Sequence, residues 1–203
     1  MGSIIAILPD HLLNNEHEVL VTLFESGLDD LYFRREMTRE EILYVYDHIP
    51  PHFHNRLILP LVAAQWRHET GFKRYHVKEK QRSEEGLYFE KEEIDDYRFS
   101  TAIHCYSAMK TLNDRYEMIL VSPLFNSMSK SGYTAMAASE RMKFENSSDS
   151  IRKIGLGGIN LERIIQFPEI VQSFDGIALM SGLWQVENIH TTFLRIRKLW
   201  KGI

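Results

Sequence analysis

The chain has 203 residues, 44% hydrophobic, 26% charged and 11% aromatic, with 11 Gly and 6 Pro. That balance excludes a disordered, collagen-like or disulfide-stapled chain, and one core can bury the apolar surface of this length, so a single domain over 1–203 is expected. A net charge of −4, from 24 basic and 28 acidic residues, offers no field for nucleic acid, and the lone Cys105 points to a reducing, cytoplasmic setting. The apolar run at 4–8 lacks the basic flank of a signal peptide. The stretch at 57–66 is broken by Pro60 and Gln65 and is too short to cross a bilayer, which takes roughly 20 residues, so no membrane partner is expected.

Short apolar runs alternate with longer amphipathic segments along the chain, the rhythm of strand–helix units over a parallel sheet. The run at 4–8 predicts a first strand. A helix over 14–26 follows, with Val19, Leu20, Leu23 and Phe24 on one face and Gly27 at its stop. A second strand at 30–34 leads to Thr38-Arg39-Glu40-Glu41, a capping box, and a helix ending before Pro50-Pro51. Strand three is expected at 57–61 with a short helix to about 70, and strand four at 75–77. The Glu- and Lys-rich segment 78–97 has few apolar anchors, so its helix is expected to be abbreviated or irregular. Strand five at 99–103, a helix over 106–113, strand six at 118–121 and a polar loop over 122–133 come next. A helix near 138–144, strand seven at 153–156, a helix over 161–167, strand eight at 176–179 and a last helix over 183–200 complete the pattern.

Eight such units without a long Gly-rich dinucleotide turn predict an α/β fold, a single closed (β/α)8 TIM barrel with lean loops. Function in such barrels collects at the C-terminal ends of the strands, and the loops after strands seven and eight commonly hold phosphate. Here they read Gly157-Gly158-Ile159-Asn160 and Ser181-Gly182. Glycine lets backbone amides approach an anion closely. Taken alone, the same residues are equally ordinary turns.

Several segments together resemble the thiamine phosphate synthase and TenI superfamily: "VSPLFNSMSKSGY" (121–133), "IGLGGIN" (154–160), "GIALMSGLW" (176–184), "YFRRE" (32–36), "YHVKEK" (75–80) and "AIHCYSAMK" (102–110). The resemblance runs over nearly the whole chain and implies a small (β/α)8 barrel binding a thiazole phosphate. It implies that the phosphate sits against Gly157, Gly158, Ser181 and Gly182. Ser127, Ser129 and Lys130 of the strand-six loop match positions that donate to phosphate groups, Ser standing for Thr, which suits a loop that closes on an anion.

The synthase half of that pattern is altered. Where the family's strand two carries Gln-x-Arg-x-Lys, this chain has Tyr32-Phe33-Arg34-Arg35-Glu36; Arg34 is kept and Glu36 replaces the lysine. Pro60 and Gln81 stand near the expected Mg2+ carboxylates, and Ala102 replaces a serine. Mg2+ wants hard oxygen ligands, and Glu36 facing a pyrophosphate would repel it. These departures resemble TenI-type members, which aromatise a thiazole phosphate carboxylate by shifting a proton. His104 matches their catalytic histidine, and imidazole suits a group that takes a proton and returns it. The implied activity is thus a thiazole tautomerase with no cofactor. Its alternatives are a thiamine phosphate synthase, which would need Mg2+, and a noncatalytic regulator that binds a phosphate ligand. His76 matches a family histidine at the barrel mouth and is a candidate substrate contact.

Other residues offer less. His48, His52 and His54 lie in or near a helix-to-strand loop, on the face away from the chemistry, and lack a completing ligand set. His11 has nothing beyond its place after strand one, and Cys105 is not marked as a nucleophile. Lys78 and Lys80 belong to a solvated segment but are within reach of an anion at the mouth. The basic amphipathic stretch 193–201 has the character of a membrane-surface helix, yet the barrel requires its eighth helix there. Trp66, Trp184 and Trp200 are expected in the core, a homodimer face being the other use for them.

Overall fold

The computed structural model describes residues 2–11, 13–82, 88–89, 93–126 and 134–202. Eight strands, β1 (Ser3–Ile7), β2 (Asp30–Tyr32), β3 (Leu57–Pro60), β4 (Arg74–His76), β5 (Arg98–Ile103), β6 (Tyr116–Val121), β7 (Arg152–Leu156) and β8 (Gly176–Leu179), form one closed barrel in sequence order. Every neighbouring pair is parallel. The ring closes where Ile4 pairs with Ile177 and Ala6 with Leu179. The expected (β/α)8 TIM barrel is therefore the fold.

Successive side chains in a strand point to opposite faces, so each strand feeds two cores. Ile5, Ile7, Tyr32, Ile58, Met118, Leu120, Ile154 and Ala178 fill the interior, while Ile4, Ala6, Leu31, Leu57, Leu59 and Ile177 face the surrounding helices. Both faces are buried, which is why the strands read as nearly unbroken apolar runs rather than as alternating ones.

The helices are α1 (Glu16–Glu25), α2 (Arg39–His48), α3 (Arg67–Thr70), α4 (Tyr106–Met109), α5 (Ala138–Glu145), α6 (Leu161–Gln166), α7 (Pro168–Gln172), α8 (Ser181–Trp184) and α9 (Ile189–Lys201). The capping box before α2 forms: the Glu41 amide donates to Thr38 Oγ1 at 3.3 Å and the Thr38 amide to Glu41 Oε2 at 2.7 Å. α1 stops at Gly27, whose φ of 93° suits glycine.

Several boundaries differ from the sequence pattern. The last helix is divided, because Asn188 accepts from the Thr191 amide at 2.8 Å and starts α9 afresh. The helix expected over 106–113 is one α-turn, α4. The one expected over 161–167 is followed by α7, opened by Pro168 at its first position. In 78–97 the described residues hold only two 3-10 turns, Glu79–Gln81 and Ile94–Asp96. Phe89 anchors that segment against Tyr97, Phe99 and Tyr75, with ring centroids 4.6, 5.5 and 5.7 Å away.

Trp184 Nε1 donates to the Ile7 carbonyl at 2.6 Å and Trp200 Nε1 to that of Gly2 at 3.0 Å. These two tryptophans pack against the core. No helix among the described residues is long and apolar enough to span a membrane.

Candidate functional site

The two-residue strand period carries the inner face of the barrel up to its rim. Tyr32 is followed by Arg34, His76 by Lys78, Ala102 by His104, Leu120 by Ser122, Leu156 by Gly158 and Ala178 by Met180. All twelve line one cavity of about 420 Å3 at the C-terminal ends of the strands, together with Ile7, Glu79, Pro123, Phe125, Gly157, Ile159 and Ser181. A hollow of that size fits a small ligand. The deeper members are mostly apolar, the rim members mostly polar.

Two side chains on the floor are buried and neutral. Tyr32 packs on His76 with ring centroids 4.2 Å apart and ring planes tilted by 31°, and His76 Nδ1 lies 2.9 Å from Ser100 Oγ. Burial, reinforced by the positive charges of Lys78, Arg82 and Arg34, pulls the His76 pKa down from 6.5 to about 3. His104 stands higher. Its Nδ1 is 2.8 Å from the Ser122 carbonyl oxygen, an atom that can only accept, so Nδ1 carries the proton. In the neutral ring Nε2 then holds the lone pair.

Around the rim, Arg34 Nη1 donates to Asp10 at 3.2 Å and contacts Met180 Sδ at 3.6 Å. Lys78 is 3.8 Å from Glu36. Glu36 does not face the cavity as its place in the strand-two pattern suggested: its side chain is 86% exposed and does not line the site. Two residues beyond Arg34, the chain has already left the rim. Among the described lining residues Glu79 is the single carboxylate, a thin ligand set for Mg2+.

The opposite wall is backbone. Gly157 and Gly158 have φ of 101° and 67°, and a Cβ there would fall 2.9 Å from Pro123 Cα or 2.8 Å from Phe125 Cβ. This closeness lets the strand-six loop zip onto the turn, the Leu124 amide donating to Leu156 O at 2.9 Å and the Phe125 amide to Gly157 O at 3.0 Å. Gly182 packs equally tightly, a Cβ there falling 2.2 Å from the Ile159 carbonyl oxygen. The amides of Gly157, Gly158, Ser181 and Gly182 donate to no acceptor among the described residues. Four unspent amides on one side of a cavity suit an anion.

Of the residues singled out from the sequence, Arg34, His76, Lys78, His104, Gly157, Gly158 and Ser181 line the cavity; Gly182 does not, and packs against Ile159 and Asn160. Ser127, Ser129 and Lys130 lie outside the described residues. Tyr32, Ser122, Phe125 and Met180 complete the wall without having been singled out. Period two would have found Tyr32 from Arg34 and Met180 from Ala178. His54, by contrast, binds the Ile49 carbonyl at 2.7 Å and packs on Tyr46 and Phe72, and no cluster able to hold a metal occurs among the described residues.

A larger hollow of about 540 Å3 lies outside the barrel between α1 and α2. Several of its polar groups bind one another: Arg35 makes a two-pronged pair with Glu16 at 2.6 and 3.0 Å, and Tyr44 meets His17 at 3.1 Å.

Fold and cavity define a (β/α)8 barrel with a small-ligand site at the usual end, cationic on one side and amide-lined on the other. No family model matches the chain, and no curated protein matches it by sequence. Solved structures do. A thiamine phosphate pyrophosphorylase from Bacteroides thetaiotaomicron has a TM-score of 0.73 at 21% identity, covering 97% of this chain and 96% of that one. One from Pyrococcus furiosus gives 0.62 at 15%, covering 98% and 96%. A phosphoribosyl anthranilate isomerase from Thermotoga maritima gives 0.67 at 15%, covering all of both chains. At these identities the likeness is one of fold.

Proposed function

We propose that the cavity binds a thiazole phosphate and that the protein is a thiazole tautomerase, with His104 as its acid and base. The observation that carries this reading is the hydrogen bond from His104 Nδ1 to the Ser122 carbonyl, 2.8 Å long. It leaves Nε2 as an oriented lone pair on a residue that lines the site. The phosphate would take the amides of Gly157, Gly158, Ser181 and Gly182, placing the ring over the apolar floor. His104 would remove a proton from one carbon, the electron pair of that bond would enter the ring, and the same imidazolium would return the proton to a second carbon. The step balances without metal or oxidant. Arg34 and Lys78, across the mouth from the glycine turn, suit a carboxylate on the far end of the ligand. Ser127, Ser129 and Lys130 would add donors to the phosphate.

A second reading, a thiamine phosphate synthase, has the fold match to two pyrophosphorylases in its favour. Against it, Glu79 is the one described carboxylate of the wall. The deciding experiment follows aromatisation of the thiazole phosphate carboxylate tautomer by NMR, with His104→Ala as control. Acceleration that is lost in the variant is the expected result. No acceleration by the unaltered protein, together with Mg2+-dependent condensation of thiazole phosphate with an aminopyrimidine pyrophosphate, would establish the synthase instead.

A further inference from the structure

Of the polar groups that reach the cavity, Tyr32 has no part in the proton shift assigned to His104. It is 4% exposed, stands on the inner face at the end of β2 and packs against His76 with the ring planes tilted by 31°. Its hydroxyl makes no hydrogen bond among the described residues. Nor is that oxygen sealed in. Among the described buried side-chain atoms only Arg35 Nε and Arg197 Nε are both closed off and unpartnered, so the Tyr32 oxygen, lacking a partner, opens into the cavity that its ring lines. In the open cavity water can meet this hydroxyl, so a ligand that displaces that water must bring an acceptor or leave the hydroxyl unpaired, which is costly.

Its chemistry is fixed by its surroundings. Burial pushes the Tyr32 phenol well above the ordinary tyrosine range, the Arg34 charge acting against that and Asp10 with it. The group keeps its proton and serves as a neutral donor. β2 and β7 lie three strands apart around the ring, so a flat ligand with its anionic arm at the Gly157 turn extends across the mouth toward Tyr32.

We propose that Tyr32 is the specificity residue of this site, its hydroxyl donating a hydrogen bond to an acceptor atom in the rim of a flat heteroaromatic ring. This deepens the thiazole phosphate reading and rests on it. For a thiazole the acceptor is the ring nitrogen. When a C–H bond breaks and its electron pair enters the ring, a donor on that nitrogen stabilises the developing charge. Tyr32 itself neither loses nor gains a proton; the proton travels on His104.

The test is a calorimetric cycle of unaltered protein and Tyr32→Phe against three probes: thiazole phosphate, the thiophene phosphate in which CH replaces the ring nitrogen, and inorganic phosphate. Phenylalanine keeps the ring and its packing on His76. The unaltered protein is expected to prefer thiazole over thiophene by about tenfold, the worth of one buried hydrogen bond. Tyr32→Phe is expected to lose that preference while binding inorganic phosphate as before. If the variant keeps the full preference, or the unaltered protein shows none while still binding both rings better than inorganic phosphate, the role of Tyr32 is overturned and the thiazole reading stands. If the unaltered protein binds thiazole phosphate no better than inorganic phosphate, the thiazole reading itself fails and the proposal falls with it. If Tyr32→Phe does not fold, absence of the preference in the unaltered protein still overturns the proposal, and Tyr32→His, which keeps a ring with a donor, is expected to retain the preference.

Discussion

His76 and His104 have the same side chain at the ends of neighbouring strands, β4 and β5, and their surroundings give them opposite uses. His104 sits at the rim, with one ring nitrogen committed to a carbonyl and the other open. Replacing it by alanine is expected to lower tautomerase turnover at least about 100-fold, with thiazole phosphate affinity changed by less than about threefold; single-turnover NMR and calorimetry on one preparation check both. His76 is buried among Lys78, Arg82 and Arg34, and its pKa near 3 keeps it neutral wherever the protein is folded. An unfolded chain would protonate it below pH 6.5. The folded value is the depressed one, so the native state binds fewer protons and stability falls as pH drops from about 6.5 toward 3, by up to about 1.4 kcal/mol per unit. Urea unfolding at several pH values should show that slope in the unaltered protein and a shallower one in His76→Phe. Equal slopes would mean that His76 titrates alike in the folded and unfolded states, and would overturn the depressed pKa.

At the scale of elements, the glycine turn after β7 is where backbone geometry meets the proposed anion site. Gly158 and Gly71 have nearly the same φ, 67° and 69°, yet a Cβ at Gly158 would collide with Phe125 and Asn126 while one at Gly71 meets nothing within 4 Å. Alanine at either position carries the strain of a left-handed backbone, about 1–2 kcal/mol. Only Gly158→Ala must also push the strand-six loop off the turn, so inorganic phosphate affinity should fall in that variant and remain unchanged in Gly71→Ala; equal affinities would detach the turn from the anion site. The same contrast shows what the sequence could and could not reveal. Strands were legible because burial on both faces makes each one an apolar run, and the Gly157-Gly158 turn was legible from its glycines and its place after strand seven; His104 was found only through the family resemblance, since nothing local sets it apart from the other histidines. The break between α8 and α9 was hidden inside one amphipathic pattern, since a cap such as Asn188 looks like any polar surface residue. Tyr32 was hidden for the opposite reason: an aromatic in a strand reads as packing, and only its unpartnered hydroxyl distinguishes it.

Over the whole molecule, the two ends of the barrel are built differently. The end opposite the cavity is closed by charge: Asp30 of β2 accepts from Arg74 of β4, which also binds Glu117 of β6 at 2.6 Å, and Arg152 of β7 lies 3.7 Å from Asp30 and reaches Ser3 of β1 at 3.3 Å. Five of the eight strands are joined through these side chains. Asp30 is 6% exposed, so removing its charge leaves two guanidinium groups facing each other with one carboxylate fewer between them. Breaking such a buried pair typically costs about 3–5 kcal/mol, a large share of the roughly 5–15 kcal/mol that holds a domain together. Asp30→Asn is therefore expected to lower the urea midpoint sharply. Replacing Asp30 and Arg74 together by leucine and methionine should restore part of the loss, because the uncompensated charge goes with its partner. The cavity lies at the other end of the strands, beyond the apolar layer of Ile5, Ile58, Met118 and Ile154. Thiazole phosphate affinity, measured well below the unfolding transition, should therefore be the same in Asp30→Asn as in the unaltered protein. A matching loss of affinity would show that the charged end sets the geometry of the mouth, and that the barrel deforms as one body instead of holding its stability at one end and its site at the other.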